Sequence, residues 1–270
     1  MADWKFLAAA STETSAEILK SLVQYPQCRL HLAGNPSCTS EILDELSLSD
    51  AFNDFNDEIT EITGFTRVLT HPNASQATIE KILEHHSELE ESLSSNPNAP
   101  VRILIKLTLS DDDTVLRRLR GNPSSPRKFL SKSFEEIMKF EKWDDAIYHY
   151  TLCHNRSLLK SELESLSRHP VYQIRSSVAE NESSTNKLLF TMINDENDWV
   201  RRSVAMNKNS DIDTLQALAF DTSRLKPSYG LDRSNNGARF VYHQIMGNPN
   251  CSQELKKFIE TLDWKARNLQ

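Results

Sequence analysis

Three residues close together in sequence, His149, Cys153 and His154, have the types and spacing to bind a metal ion. His149 and Cys153 are one helical turn apart, and an imidazole and a thiolate at that spacing can share a zinc ion. Cys153, however, falls where other copies of the repeat described below place Ala179 and Ala205, so it reads as core and no metal or cofactor is expected. His85 and His86 are sequence neighbours and point apart on a helix. The run Asp111-Asp112-Asp113 suits a helix N-terminus, where acidic side chains meet the positive end of the helix dipole. The chain has no Gly-x-Ser-x-Gly elbow and no glycine-rich phosphate loop, so no catalytic residue is assigned and no enzyme is expected.

Arginines offer a different chemistry. Arg29, Arg175 and Arg201 share one position of the repeat and would line up as a stripe in a stacked array. Arg117, Arg118, Arg120, Arg127, Lys128 and Lys132 form a basic cluster. Helical repeats can cradle nucleic acid on such a surface. Against this, Glu90 and Leu116 interrupt the stripe and the net charge is −7. The expected partner is therefore another protein, with nucleic acid as the alternative.

The elements that must position these side chains come from a short repeat. The clearest copies are Trp199–Ala219 and Ile174–Met192. Taking Asn181 and Asn207 as position zero, apolar residues recur at −3 (Val178, Val204), −2 (Ala179, Ala205), +8 (Leu189, Leu215) and +11 (Met192, Leu218). The same template finds Asn35, Asn96, Asn122, Asn155 and Asn248, with His71 in place of Asn and a degenerate copy centred on Ser11. Spacings of three and four within each half predict two short amphipathic helices per unit. Four Asn-Pro steps (Asn35-Pro36, Asn96-Pro97, Asn122-Pro123, Asn248-Pro249) break the helix, because proline disfavours helix in the residue before it and asparagine tolerates turns. Ser210 with Asp213 resembles a capping box. Such a helical pair cannot bury its own apolar face, so the units must stack. The expected fold is all-α, a helical-repeat superhelix (α–α solenoid) of about nine two-helix units, forming a single domain over 1–270.

The pattern V-R-x-x-V-A-x-N-x-x-x-x-x-x-x-L-x-x-L-A at Val200–Ala219 resembles the leucine-rich repeat variant family, as do the Asn-Pro steps. That resemblance implies a superhelix of alternating short helices used as an interaction surface. A founding member carries an iron–sulfur cluster in a cysteine-rich segment. Cys28, Cys38, Cys153 and Cys251 make no such segment, so the cluster is not carried over.

Zero positions at 11, 35, 71, 96, 122, 155, 181, 207 and 248 give a basic period of 25 or 26, with every third step lengthened. The extra segments lie near 48–64, 133–147 and 222–239. The first is acidic, the second is expected to lengthen a helix, and the third is rich in glycine and asparagine and carries Tyr229, Arg233 and Arg239. Long insertions in repeats often carry function. The expected partner-binding residues are therefore Arg175 and Arg201 on the stripe and Tyr229, Arg233 and Arg239 in the third insertion. The N-terminus lacks a signal-peptide pattern, no apolar run is long enough to span a bilayer, and the cysteines make no disulfide framework. A cytoplasmic protein without a membrane partner is expected.

Overall fold

The computed structural model describes residues 4–48, 51–52, 58–220 and 236–267, with side chains placed for 4–48, 51–52, 61–220 and 241–261. All regular structure among these residues is helical, and the helices follow the repeat. The contacts group into two compact units, Met1–Phe129 and Leu130–Gln270.

In the first unit, Trp4–Ala10, Pro26–Leu32, Glu58–Thr70, the 3-10 helix Ser87–Ser95 and Asp113–Gly121 are the first helices of successive repeats, each packed on the next. Ala16–Leu22, Ser40–Glu45, Gln76–His85 and Val101–Leu107 are the second helices. In the second unit the first helices are the 3-10 helix Tyr150–His154, Tyr172–Glu180, Asp198–Met206 and Asn236–Gly247, again packed in sequence. Lys160–Leu166, Asn186–Thr191, Ile212–Phe220 and Gln253–Arg267 follow as second helices. The helix Arg127–Ile137 carries the chain from one unit into the other.

The template positions form the core. Val178, Ala179, Leu189, Val204, Ala205 and Leu215 are fully buried, as are their counterparts Leu32, Leu43, Leu104 and Leu119. The acidic run also lies as expected: Asp112 caps Asp113–Gly121, its Oδ1 accepting from the Thr114 N–H at 2.7 Å. The capping box is different. Asp211, not Ser210, caps Ile212–Phe220 by accepting from the Thr214 N–H at 2.9 Å. The Ser210 hydroxyl donates back to the Val204 carbonyl at 2.6 Å, as Ser184 does to Val178 and Ser125 to Leu119.

The insertions extend helices where they are described. Glu58–Thr70 takes in the end of the first, and Phe52 packs edge-on against Phe65 with ring centres 5.1 Å apart. Gly64 gives Phe52 its room, since a Cβ there would lie 2.5 Å from the ring. The second insertion continues the helix to Ile137 and adds a turn at Trp143–Ala146. Most of the third, with Tyr229 and Arg233, lies outside the described residues; Arg239 falls in a helix whose side chain is not described.

What joins neighbouring repeats is a ladder of carboxamides. Asn207 Nδ2 donates to the carbonyls of Ala179 (2.7 Å) and Asn181 (3.0 Å), while its Oδ1 accepts from the Asn209 N–H (2.8 Å). Asn181 treats Cys153, Asn155 and Ser183 in the same way, and Asn248 treats Ala205, Asn207 and Asn250. In the first unit Asn35 and Asn122 repeat the arrangement. At His71 an imidazole replaces the amide: Nδ1 accepts from the Asn73 N–H at 3.1 Å, so Nε2 carries the proton and donates to the Asn35 carbonyl at 2.9 Å. Each rung satisfies carbonyls that the end of a helix leaves without intrahelical partners. A parallel ladder runs two residues on, where Asn250 Nδ2 reaches Lys208 and Ser210 and Asn209 Nδ2 reaches Glu182 and Ser184.

The ladder revises the reason for asparagine. Asn181 (φ −62°, ψ 128°) and Asn207 (φ −65°, ψ 127°) are extended although no proline follows them, and Asn96 and Asn122 before proline are alike. The position therefore does not call on asparagine's tolerance of turn conformations. It calls on a side chain with two donors and one acceptor at short reach.

Candidate interaction surface

The arginine stripe faces inward. Arg175 and Arg201 are each 7% exposed. Arg175 Nε and Nη2 grip both oxygens of Asp195 at 2.7 and 2.9 Å, and Nη1 donates to the carbonyls of His169 (2.8 Å) and Pro170 (3.0 Å). Asp195 holds the guanidinium pKa above its ordinary value, against the cost of burial. Arg201 Nη1 donates to the Asp195 carbonyl, and Nη2 pairs with Asp198. Arg29 does the equivalent in the first unit, with Nε on the Val23 carbonyl (2.9 Å) and Nη1 on that of Ala51 (3.0 Å). All three reach the carbonyl six residues back, and Arg29 and Arg175 also hold the loop of the following repeat. The recurrence at −6 is thus an internal clamp, not the exposed stripe expected of a protein or phosphate contact. Arg120 of the basic cluster is buried too.

The metal candidates also part company. Cys153 is buried, and burial pushes its thiol up to about 12. His149 Nε2 faces Glu136 Oε2 at 3.3 Å, with its ring against Phe140. His154 turns to Tyr150. Among the described residues, no three His, Cys, Asp or Glu side chains gather around a metal position. His85 is exposed, whereas the His86 ring lies over Phe65.

The outward positions of the same helices are −8, −5 and −1. On Asp198–Met206 they are Trp199, Arg202 and Met206, spaced to share one face. Trp199 is 54% and Met206 50% exposed, and the Arg202 guanidinium lies 5.0 Å from the centre of the tryptophan ring. A polar seam borders them: Ser203 Oγ donates to Glu180 Oε1 at 2.8 Å and shares a hydrogen bond of 2.8 Å with Ser176. Glu180 in turn acts on His154, favouring its charged form while burial lowers its pKa more. Tyr150 stands edge-on to His154 and 5.5 Å from Trp143. Trp143, Tyr150, His154, Glu180, Trp199 and Arg202 thus mark one surface across three repeats of the second unit.

No family model, characterised protein or solved structure matches the chain. Function is therefore argued from this surface, because a fold alone does not fix it. Among the described residues, no helix is long and apolar enough to cross a membrane.

Proposed function

We propose that this chain is a non-enzymatic scaffold, a helical solenoid of the kind that leucine-rich repeat variant proteins form, which captures a segment of a partner protein on the outer face of its first helices. The observation that carries this reading is the exposed Trp199 ring beneath the Arg202 guanidinium, with Met206 beside it. Tryptophan and arginine dominate the energetics of protein interfaces, and methionine is enriched in them. The matching partner presents an apolar side chain to Trp199 and Met206 and a carboxylate or carbonyl to Arg202. Four buried cysteines outside any disulfide suit a reducing, cytoplasmic setting.

Panning a random peptide library on the intact protein tests this. The expected result is an enriched peptide whose affinity falls about tenfold or more with Trp199→Ala and with Arg202→Ala, a typical hot-spot loss. Lys187→Ala, on a second helix, leaves it unchanged. No enrichment, or equal binding by Trp199→Ala, overturns the proposal. A low-salt shift of duplex or single-stranded probes would favour nucleic acid instead.

A further inference from the structure

We infer that the first unit carries a docking surface of its own, a cleft between the 3-10 helix Ser87–Ser95 and the end of Val101–Leu107 with an apolar stripe leading from it, and that its occupant is a partner segment in which an arginine stands beside apolar residues. The cleft lies where the arginine stripe is broken. In the repeat of Asn181, Arg175 at −6 crosses to Asp195 at +14 and ties the first helix to the loop that follows. In the repeat of Asn96 the same two positions hold Glu90 and Ser110, and Ser110 Oγ accepts from the Asp112 N–H at 3.1 Å. The place of the tie is left as a cleft of about 320 Å³, lined by Glu88, Glu90, Glu91, Lys106, Leu109 and Ser110. That volume is at the small end of ligand-sized sites.

Charge selects the occupant. The lining sets three carboxylates against one ammonium. Lys106 Nζ, on a mostly exposed side chain, pairs with Glu90 Oε2, while Glu88 Oε1 faces His86 Nδ1 at 3.2 Å and Glu91 is exposed. An acidic cleft draws cations and repels phosphate. A guanidinium fork binds carboxylates at two points, as Arg175 does on Asp195, whereas the ammonium of Lys106 is a single point charge. The arginine missing at −6 is therefore the side chain that a partner best supplies.

Leu109 joins the cleft to Val101 and Ile105, spaced by four along the helix and its closing turn. Leu109 is 83%, Val101 60% and Ile105 52% exposed. The repeat before has Gln76, Glu80 and Glu84 at these positions, and the repeat after has Arg127, Ser131 and Glu135. The stripe is not an end of the array. Arg102 Nη2 pairs with Glu80 Oε1 on the preceding second helix at 3.6 Å, and Asp113–Gly121 packs against Val101–Leu107. An exposed apolar stripe rimmed by charge marks an interaction site. A cleft and three side chains are the footprint of a short segment and not of a folded partner, so binding is weak and reversible.

Two phage-displayed peptide libraries, one with a central arginine fixed and one with a central glutamate, test the inference when panned on the intact Trp199→Ala protein. The expected result is enrichment from the arginine library alone, with apolar residues beside the arginine. Leu109→Ser, and Glu88→Gln combined with Glu91→Gln, each weaken the enriched peptide about tenfold, and Lys106→Ala tightens it several-fold by removing the local cation that competes. These side chains are exposed, so melting stays unchanged and a loss of affinity is not a loss of fold. No enrichment, equal enrichment from the glutamate library, or a peptide that all three variants bind as the parent does overturns the proposal. Self-association of the full chain that Leu109→Ser abolishes also overturns it, by giving the stripe to a second copy. Because Trp199 is absent from the panned protein, failure here leaves the reading of the Trp199 surface standing.

Discussion

The Asn207 carboxamide nitrogen lies 3.0 Å from the Asn181 carbonyl oxygen, one repeat earlier, and Asn181 stands in the same relation to Asn155 at 3.1 Å. Each rung is buried, so its loss exposes no group to water that could replace it. Asn207→Ala strands the carbonyls of Ala179 and Asn181 and the Asn209 N–H. Stranded buried groups cost on the order of 1–3 kcal/mol each, with partial relief by relaxation, so the variant should lose about 2–4 kcal/mol. Asn207→His should lose less, because the His71 imidazole already bridges one carbonyl and one N–H at the same repeat position. Urea titrations of the three proteins check the order. Equal midpoints for wild type and Asn207→Ala would remove the ladder from the account of stability.

Arg175 and Asp195 make a second inter-repeat tie, with both side chains only 9% exposed. Removing one partner of such a pair leaves a buried charge, which costs on the order of 3 kcal/mol. Arg175→Ala should therefore lower the melting temperature by several degrees. Arg175→Lys should also destabilise, because a single ammonium cannot serve both carboxylate oxygens and two carbonyls in the guanidinium's planar geometry. Thermal melts followed by circular dichroism decide this. Unchanged melting in Arg175→Ala would return the arginine to the role of a surface contact.

The period, the helical pairing and the core were legible in the sequence because apolar spacing is a local signal. Val178 and Leu189 declare their faces without reference to any other repeat. The ladder was half legible. Asparagine marked every unit but two, yet its partners are carbonyls some 26 residues back and leave no trace in residue type. The arginine clamp was misplaced for a related reason. Recurrence at −6 was visible, but the carboxylate that claims Arg175 is 20 residues away, in a loop whose position depends on stacking. The Trp199 surface escaped because a search for recurrence passes over what differs: its counterpart one repeat earlier is Gln173. A tryptophan in the polar phase of an amphipathic helix was the available signal.

Histidine burial gives the fold a defined response to acid. His169 Nδ1 accepts from the Val171 N–H at 3.1 Å, so Nε2 carries the proton and donates to the Ile137 carbonyl at 2.9 Å. Burial lowers its pKa from the ordinary 6.5, and Arg175 pushes in the same direction. Burial likewise lowers His31 and His154. A histidine lowered in the fold keeps its ordinary affinity for protons in the unfolded chain. As the pH falls through about 6.5, the unfolded state takes up protons first and is favoured. The contribution of these histidines is fully present above that value and is lost as the pH falls toward their folded pKa values. Melting temperature should therefore hold steady from about pH 8 to 7 and decline between about 6.5 and 5.5, before the carboxylates titrate. His169→Asn keeps an acceptor for the Val171 N–H and removes the titrating group. It should melt lower at neutral pH but with a shallower decline below it. Melts of both proteins across this range measure the difference, and parallel curves would show that His169 takes no part in the acid response.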